Sequence, residues 1–445
     1  MDRRNLDLDT AVAEIERHYV AANPKSRARF EAARDVMPGA NTRTTLHYDP
    51  FPVTLTRGQG ARLSDLDGHE YVDFLGEYTA GLYGHSEPVI VEAIQEALAD
   101  GLVLGGPNTY EARFAQLMCE RFAAVERVRF CNSGTEANLM NLCLARAVSG
   151  RPAILVFEGA YHGGVLSFAH GDSPINAPFE TVIATYNDLE GTRALIARHA
   201  GRLAAVIVEP MVGAGGCIEA NPAFLAMLRE ETAREGIVLI FDEVMTSRLA
   251  VGGLHGELGI TPDLVSFGKY LGGGVTFGAF GGRADLMAHL DPTSATALAH
   301  AGTYNNNVLT MAAGIAGLER VYTREAMTRL NDAGDRLRRE LQATATAKGV
   351  PLTVAGRGSM MCVHFHPGPI DNPGDAMMAP LPARKLLHLE LLLRGFYIAR
   401  RGFMALCLPL TDTDLAAFRE AFAAILTDNR DVLIEAIEKA AGNLR

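Results

Sequence analysis

Two short apolar runs each end on a charged residue. IVLIFD (237–242) ends on Asp242, and LVSFGK (264–269) ends on Lys269, inside SFGKYLGGG. Runs of β-branched and aromatic residues without an internal charge read as strands buried on both faces. A lysine at such a strand end is placed to react, provided that burial or a neighbouring cation lowers its pKa, since only the neutral amine attacks a carbonyl. The pair suits pyridoxal phosphate: Lys269 as Schiff-base partner of the aldehyde, Asp242 holding a proton on the pyridine nitrogen so that the ring stays an electron sink. Gly268, Gly272, Gly273 and Gly274 leave room for a flat group against the backbone. A plainer reading also fits these two residues, an aspartate capping a helix and a surface lysine in a loop, and the pair alone does not choose.

The elements that must position such a pair run from about 110 to 320. Candidate strands are 126–130, 153–157, 181–184, 204–208, 237–241, 264–267 and 277–282. Helical stretches separate several of them, one being NPAFLAMLREETAREG with Asn221 as N-cap, Pro222 in the first turn and Gly236 as stop. The pattern predicts an α/β fold with a large, mostly parallel seven-stranded sheet covered on both sides, with ligands beyond the carboxyl ends of the strands.

Other residues with chemical potential cluster after these strands. CNSGTEAN (131–138) follows a strand and opens a helix, so Ser133, Gly134 and Thr135 offer N–H groups and hydroxyls to a phosphate, or simply cap the helix. FEGAYHGG presents Tyr161 and His162 beside glycines, suited to stacking on a planar ring, though a lone tyrosine is more often a core plug. Glu209 in VEPMVGAGG ends another run, and Thr303 precedes a helix opened by three asparagines. Arg43 stands in ANTRTT, an uncharged small-residue loop, where it is either a fork for a carboxylate or a solvated loop arginine. His364 and His366 alternate and would share a strand face, but no further metal ligands stand at reach, so no metal is expected.

At 445 residues the chain is too long for one core and suits unequal domains. The division expected is 1–75 (an N-terminal arm and part of the small domain), 76–325 (the large cofactor-binding domain) and 326–445 (a C-terminal small α+β domain). Residues 1–35 read as a helical arm with Val12, Ile15 and Tyr19 inward, and Asp67-Gly68 as a hairpin turn. A helix start is expected at Ser86–Pro88, with Val89, Ile90, Ala93, Ile94, Ala97 and Leu98 on one face, and a capped helix from Thr413. The net charge of −11 disfavours nucleic acid or an anionic membrane as main partner. Six scattered cysteines without a CxxC pair, no signal-peptide core and no long apolar run point to the cytoplasm. The absence of GxGxxG after a first strand argues against a dehydrogenase.

Over about 35–430, NSGTEAN, AYHGG, VEP, FDEV and SFGKYLGGG, in that order and spacing, resemble the class III aminotransferases of pyridoxal-phosphate fold type I. MPGANTR, EYTAGLYGHS, FDEVMTSRL and YNNNVLTMAAG are closest to glutamate-1-semialdehyde aminomutases and β-phenylalanine aminotransferases, the latter nearer. The resemblance implies Lys269 as Schiff-base lysine and acid/base, Asp242 on the pyridinium, and Ser133, Gly134 and Thr135 on the phosphate, joined by Thr303 from the neighbouring subunit of a homodimer. Tyr161 stacks on the ring, with His162, Glu209 and Val244 around it. Arg43 and Arg401, which has Arg400 beside it, match the two arginines that read substrate carboxylates in the β-amino acid enzymes. The implied reaction is ping-pong transfer from a β-amino acid, aromatic such as β-phenylalanine, to 2-oxoglutarate. The alternatives are an intramolecular glutamate-1-semialdehyde aminomutase and a transaminase of ω-amines or aliphatic β-amino acids. A catalytically silent binding protein of the same fold is disfavoured by an intact Lys269 and Asp242.

Overall fold

In chain order the strands are β1 (Leu55–Gln59), β2 (Arg62–Asp65), β3 (Glu70–Asp73), β4 (Arg127–Cys131), β5 (Ala153–Phe157), β6 (Glu180–Ala184), β7 (Leu203–Val208), β8 (Met211–Val212), β9 (Ile218–Glu219), β10 (Val238–Asp242), β11 (Leu264–Gly268), β12 (Gly278–Gly282), β13 (Thr353–Arg357), β14 (Met360–His364), β15 (Phe396–Tyr397) and β16 (Phe403–Ala405). The computed structural model describes residues 7–442. Seven of these strands form one sheet in the order β4-β12-β11-β10-β7-β5-β6. They are the seven expected strands, each within one residue of its expected bounds. Neighbours from β11 through β6 are parallel, and β12 runs antiparallel to both β11 and β4.

Strands β5, β7, β10 and β11 are buried along their whole length. Helices Gly134–Ser149, Leu189–His199 and Pro222–Glu235 connect the strands and are capped by the side chains of Ser133, Asp188 and Asn221. Such two-faced burial is why the parallel strands lack polar alternation. The register sets Asp242 of β10 against Ser266 of β11, so the carboxyl ends carrying Asp242 and Lys269 are neighbours. The glycines of β12 have a steric reason: a Cβ on Gly278 would lie 2.2 Å from the Ser133 carbonyl oxygen, where the helix after β4 begins.

Around this sheet lie smaller ones. β1-β2-β3 continues into β15, which pairs with β3 in parallel, Val72 opposite Phe396. β13-β14-β16 forms an antiparallel sheet. The Asp67-Gly68 turn forms as expected, held by Asp65 Oδ1, which accepts from the N–H groups of Gly68 and His69. The N-terminal arm is two helices, Leu8–Ala22 and Pro24–Ala33, broken at Asn23-Pro24, with Val12, Ile15 and Tyr19 buried; the first six residues of the expected arm lie outside the described residues.

Four local expectations change. The helix Pro88–Ala99 is capped by the Glu87 side chain rather than by Ser86, whose φ of 60° lies in the left-handed region. Leu98 on that helix faces outward and is 48% exposed. The helix after β16 is capped at Thr411, not Thr413, because Thr411 and Asp414 close a reciprocal capping box. His366 lies past the end of β14, so it does not share the strand face of His364.

Candidate active site

The ends of β10 and β11 open onto a cavity of about 480 Å³ whose wall includes Lys269, Asp242 and Glu209. Lys269 opens a short turn after β11 with φ 53°, a left-handed conformation that a side-chain-bearing residue holds only when its surroundings demand it. Burial pushes its amine down from the usual lysine range; the charges of Asp242 and Glu209 oppose that shift, and Arg401 and Arg43 add to it. Among the described residues Lys269 has no ion-pair partner.

Asp242 is held from three sides. Asn138 Nδ2 donates to its Oδ2 at 2.8 Å, the Val244 N–H donates to its Oδ1 at 3.0 Å, and His162 Nδ1 lies 2.8 Å from Oδ2. An ionised carboxylate only accepts, so Nδ1 is the protonated ring nitrogen and the buried Nε2 of His162 is left without a partner. Glu209 accepts from the Tyr161 N–H at 3.1 Å and the Gly213 N–H at 3.0 Å. Burial, then the charge of Asp242, lifts its carboxyl to about 7.

At the other end of the cavity the helix Gly134–Ser149 starts. Ser133 Oγ accepts from the Glu136 N–H and Thr135 Oγ1 from the Gly164 N–H, so both hydroxyl protons are available to an anion at a helix N-terminus. A Cβ on Gly134 would lie 2.8 Å from Val244, so its absence lets that side chain close the cavity wall. Gly163 has φ 135° and a missing Cβ that would strike the Thr135 side chain, so glycine there keeps the hydroxyl in place. Tyr161 is 42% exposed and lines the same cavity.

Arg43 and Arg401, from opposite ends of the chain, both line this cavity, whereas Arg400 does not. Their guanidinium carbons lie 6.0 Å and 5.1 Å from the centre of a single ring, that of Tyr78. Arg43 is ion-paired with Glu77 at 2.6 Å. Thr303 is exposed and absent from the cavity wall of its own chain.

The sequence profile of the family "Aminotransferase class-III" matches residues 44–426. The chain belongs to the class-III aminotransferases. This aminotransferase is 50% identical over 419 residues to a β-phenylalanine transaminase of Variovorax paradoxus, covering 94% of this chain and 96% of that one. A solved β-phenylalanine aminotransferase from the same organism superposes with a TM-score of 0.94 at 49% identity, covering 95% and 98%. A glutamate-1-semialdehyde 2,1-aminomutase of Desulforudis audaxviator is 37% identical over 422 residues, covering 89% and 97%. A solved transaminase with PLP bound is 34% identical, with TM-score 0.85 and coverage of 93% and 99%. The enzyme is therefore a transaminase dependent on pyridoxal phosphate, of fold type I.

The residues present in this aminotransferase fit that cofactor: a buried amine without an ion pair, a carboxylate with its orientation fixed, two free hydroxyl protons at a helix start and a cavity of suitable volume. Three participants escaped the sequence reading. Asn138 and Asn141 are buried amides on the helix that follows Ser133, and Asn141 bonds Ser266 Oγ at 2.8 Å; two amides on an otherwise apolar helix face were the available signal. Tyr78 carried no signal of its own.

Proposed function

We propose that this aminotransferase moves the amino group of a β-amino acid, aromatic such as β-phenylalanine, to 2-oxoglutarate in two half-reactions at one site, as a cytoplasmic homodimer. The observation that carries this is the placement of Arg43 and Arg401 on one Tyr78 ring beside Lys269. A β-amino acid and glutamate present a carboxylate at different distances from the reacting nitrogen, and two arginines on separate segments serve both. The 50% identity to a β-phenylalanine transaminase supports the donor. Six free cysteines fit a reducing compartment.

Pyridoxal phosphate, when bound, would supply an aldehyde carbonyl and an electron-accepting ring. Asp242, its position held by Asn138 and His162, would accept the ring N–H. Ser133, Gly134 and Thr135 bind the phosphate, joined by Thr303 of the partner subunit. Tyr161 covers the ring. Lys269, its amine pushed toward the neutral form by burial, takes the proton from the donor carbon and returns it on the cofactor side.

The test is a half-reaction screen on the yellow holoenzyme with β-phenylalanine, β-aminobutyrate, glutamate and glutamate semialdehyde. Bleaching of the visible band by β-phenylalanine and by glutamate is the expected result. Response to glutamate semialdehyde alone would overturn the reading in favour of an aminomutase. Light scattering is expected to give twice the 47.8 kDa chain mass.

A further inference from the structure

A second chamber, of about 800 Å³, opens beside the cofactor cavity and shares Arg43, Thr45, Tyr161, Ala214 and Arg401 with it. Its composition is one-sided. Arg43, Arg384, Arg401, His170 and His364 line it, and among the described residues no aspartate or glutamate does, in a chain of net charge −11. Arg43 is neutralised by Glu77, but among the described residues neither Arg384 nor Arg401 has a carboxylate partner. Both keep a buried Nε without a hydrogen bond. Arg384, on the helix Leu381–Leu393, donates one Nη2 hydrogen bond to the Ala376 carbonyl oxygen, which anchors the guanidinium and leaves the rest of it unspent. Burial lowers the pKa of Arg384; the nearby Cys362 opposes this, and the positive charges of Arg401 and Arg400 reinforce it. Two planar cations in one partly apolar chamber repel each other, although Arg401 also lies over the Tyr78 and Phe403 rings, and an anion between them relieves that repulsion.

We infer that Arg384 and Arg401 jointly form the subsite for the distal carboxylate of a short aliphatic dicarboxylate, so that Arg384 sets the preference for dicarboxylic over monocarboxylic amino acceptors. The inference rests on the proposed use of 2-oxoglutarate at this site. A guanidinium fork matches a carboxylate with two parallel N–H···O bonds, and two forks from different segments fix both its position and its plane. The apolar wall of the chamber, Ile175, Met377 and Pro373, accommodates the methylene chain or, in the other half-reaction, the body of an apolar donor.

The experiment compares the wild-type holoenzyme with Arg384→Met and Arg384→Lys. Steady-state kinetics are run with 2-oxoglutarate and with pyruvate as acceptor, and calorimetry measures binding of glutarate and of butyrate. Loss of a charge-assisted fork is expected to raise the KM for 2-oxoglutarate and the Kd for glutarate about 10- to 100-fold in Arg384→Met. The values for pyruvate and butyrate are expected to move by no more than about twofold, since those ligands lack the second carboxylate. Arg384→Lys keeps the charge and loses the fork, so it is expected to fall between; should Arg384→Met fail to fold, the same split in Arg384→Lys decides. Equal changes for the dicarboxylates and monocarboxylates, or none for glutarate, would overturn the subsite. If the wild type accepts no dicarboxylate at all, the proposed acceptor is wrong, while the glutarate titration still judges Arg384 by itself.

Discussion

Lys269 and Glu209 sit in the same cavity and are perturbed by the same burial in opposite senses: the amine is driven toward its neutral form and so is the carboxyl. For Lys269 the consequence is kinetic. Lys269→Ala is expected to lower amino transfer at least about 10³-fold, because the group proposed to move the proton is gone. Thermal melting is expected to stay close to wild type, and an unfolded variant would leave the kinetic loss without this cause. For Glu209 the consequence is a pH dependence of stability. Its folded pKa of about 7 lies above the ordinary 4.5, so between those values the folded chain holds a proton that the unfolded chain has released. That contribution is present in full below 4.5 and is lost as pH rises through 7. Glu209→Gln cannot titrate. The difference in Tm, variant minus wild type, measured on the cofactor-free protein, is therefore expected to climb across this window and level off above it. A difference that stays flat with pH would count against the assignment.

The turn Gly76–Thr79 shows how an element is shaped by what it must hold. Gly76, Glu77, Tyr78 and Thr79 have φ of 53°, 45°, 52° and 83°, four left-handed residues in succession, three of them with side chains. Each of the three that carry a side chain costs about 1–2 kcal/mol, so the surroundings must enforce the turn. They do so through Asp73 Oδ1, which accepts from the Leu75 and Gly76 N–H groups, and through the Tyr78 ring stacked on Phe403 at 5.9 Å. Tyr78 O–H also donates to the Thr45 carbonyl oxygen at 3.0 Å, tying the turn to the loop of Arg43. The outcome is one ring against two guanidiniums. Tyr78→Ala is expected to raise the KM of both proposed carboxylate substrates about tenfold, from loss of the cation–π contacts, while Tyr78→Phe keeps the ring and stays within about twofold. Steady-state kinetics check this; a phenylalanine variant as impaired as the alanine one would show that the hydroxyl, not the ring, matters. Nothing in EYTAGLYGHS signals such a turn, because its conformation is imposed by contacts with Asp73, Thr45 and Phe403 rather than by local propensity.

Across the whole molecule, the large sheet and the smaller ones meet at a fully buried arginine. Arg248, in the short turn Thr246–Arg248 that follows β10 and Asp242, bonds Ser359 Oγ at 3.1 Å and the carbonyl oxygens of Leu406 and Thr79. Tyr322 O–H donates to the Arg248 carbonyl oxygen at 2.6 Å. Arg248 thereby joins the segment after Asp242 to the strands that carry Cys362 and Phe403 and to the left-handed turn. Arg248→Met is expected to destabilise the holoenzyme by about 2–4 kcal/mol, since several buried acceptors lose a charged donor at once. Urea unfolding measures it, and a change below about 0.5 kcal/mol would show that Arg248 is dispensable as a clasp.

The seven strands of the large sheet, the caps at Ser133 and Asn221, and the positions of Asp242 and Lys269 at strand ends were all legible in the amino-acid order. Each is written in a window of a few residues: a β-branched run, a hydroxyl or amide before a helix, a glycine after it. Other features were decided only by the fold. The placement of β10 beside β11, which makes Asp242 and Lys269 neighbours, belongs to this class. So do the meeting of Arg43 with Arg401 on Tyr78, the exclusion of Arg400 and Thr303 from the cavity wall, and the isolation of Arg384 among cations. These depend on segments far apart in the chain being brought together by burial of the sheet faces, and burial acts on the whole surface of an element without marking which distant residue it will face.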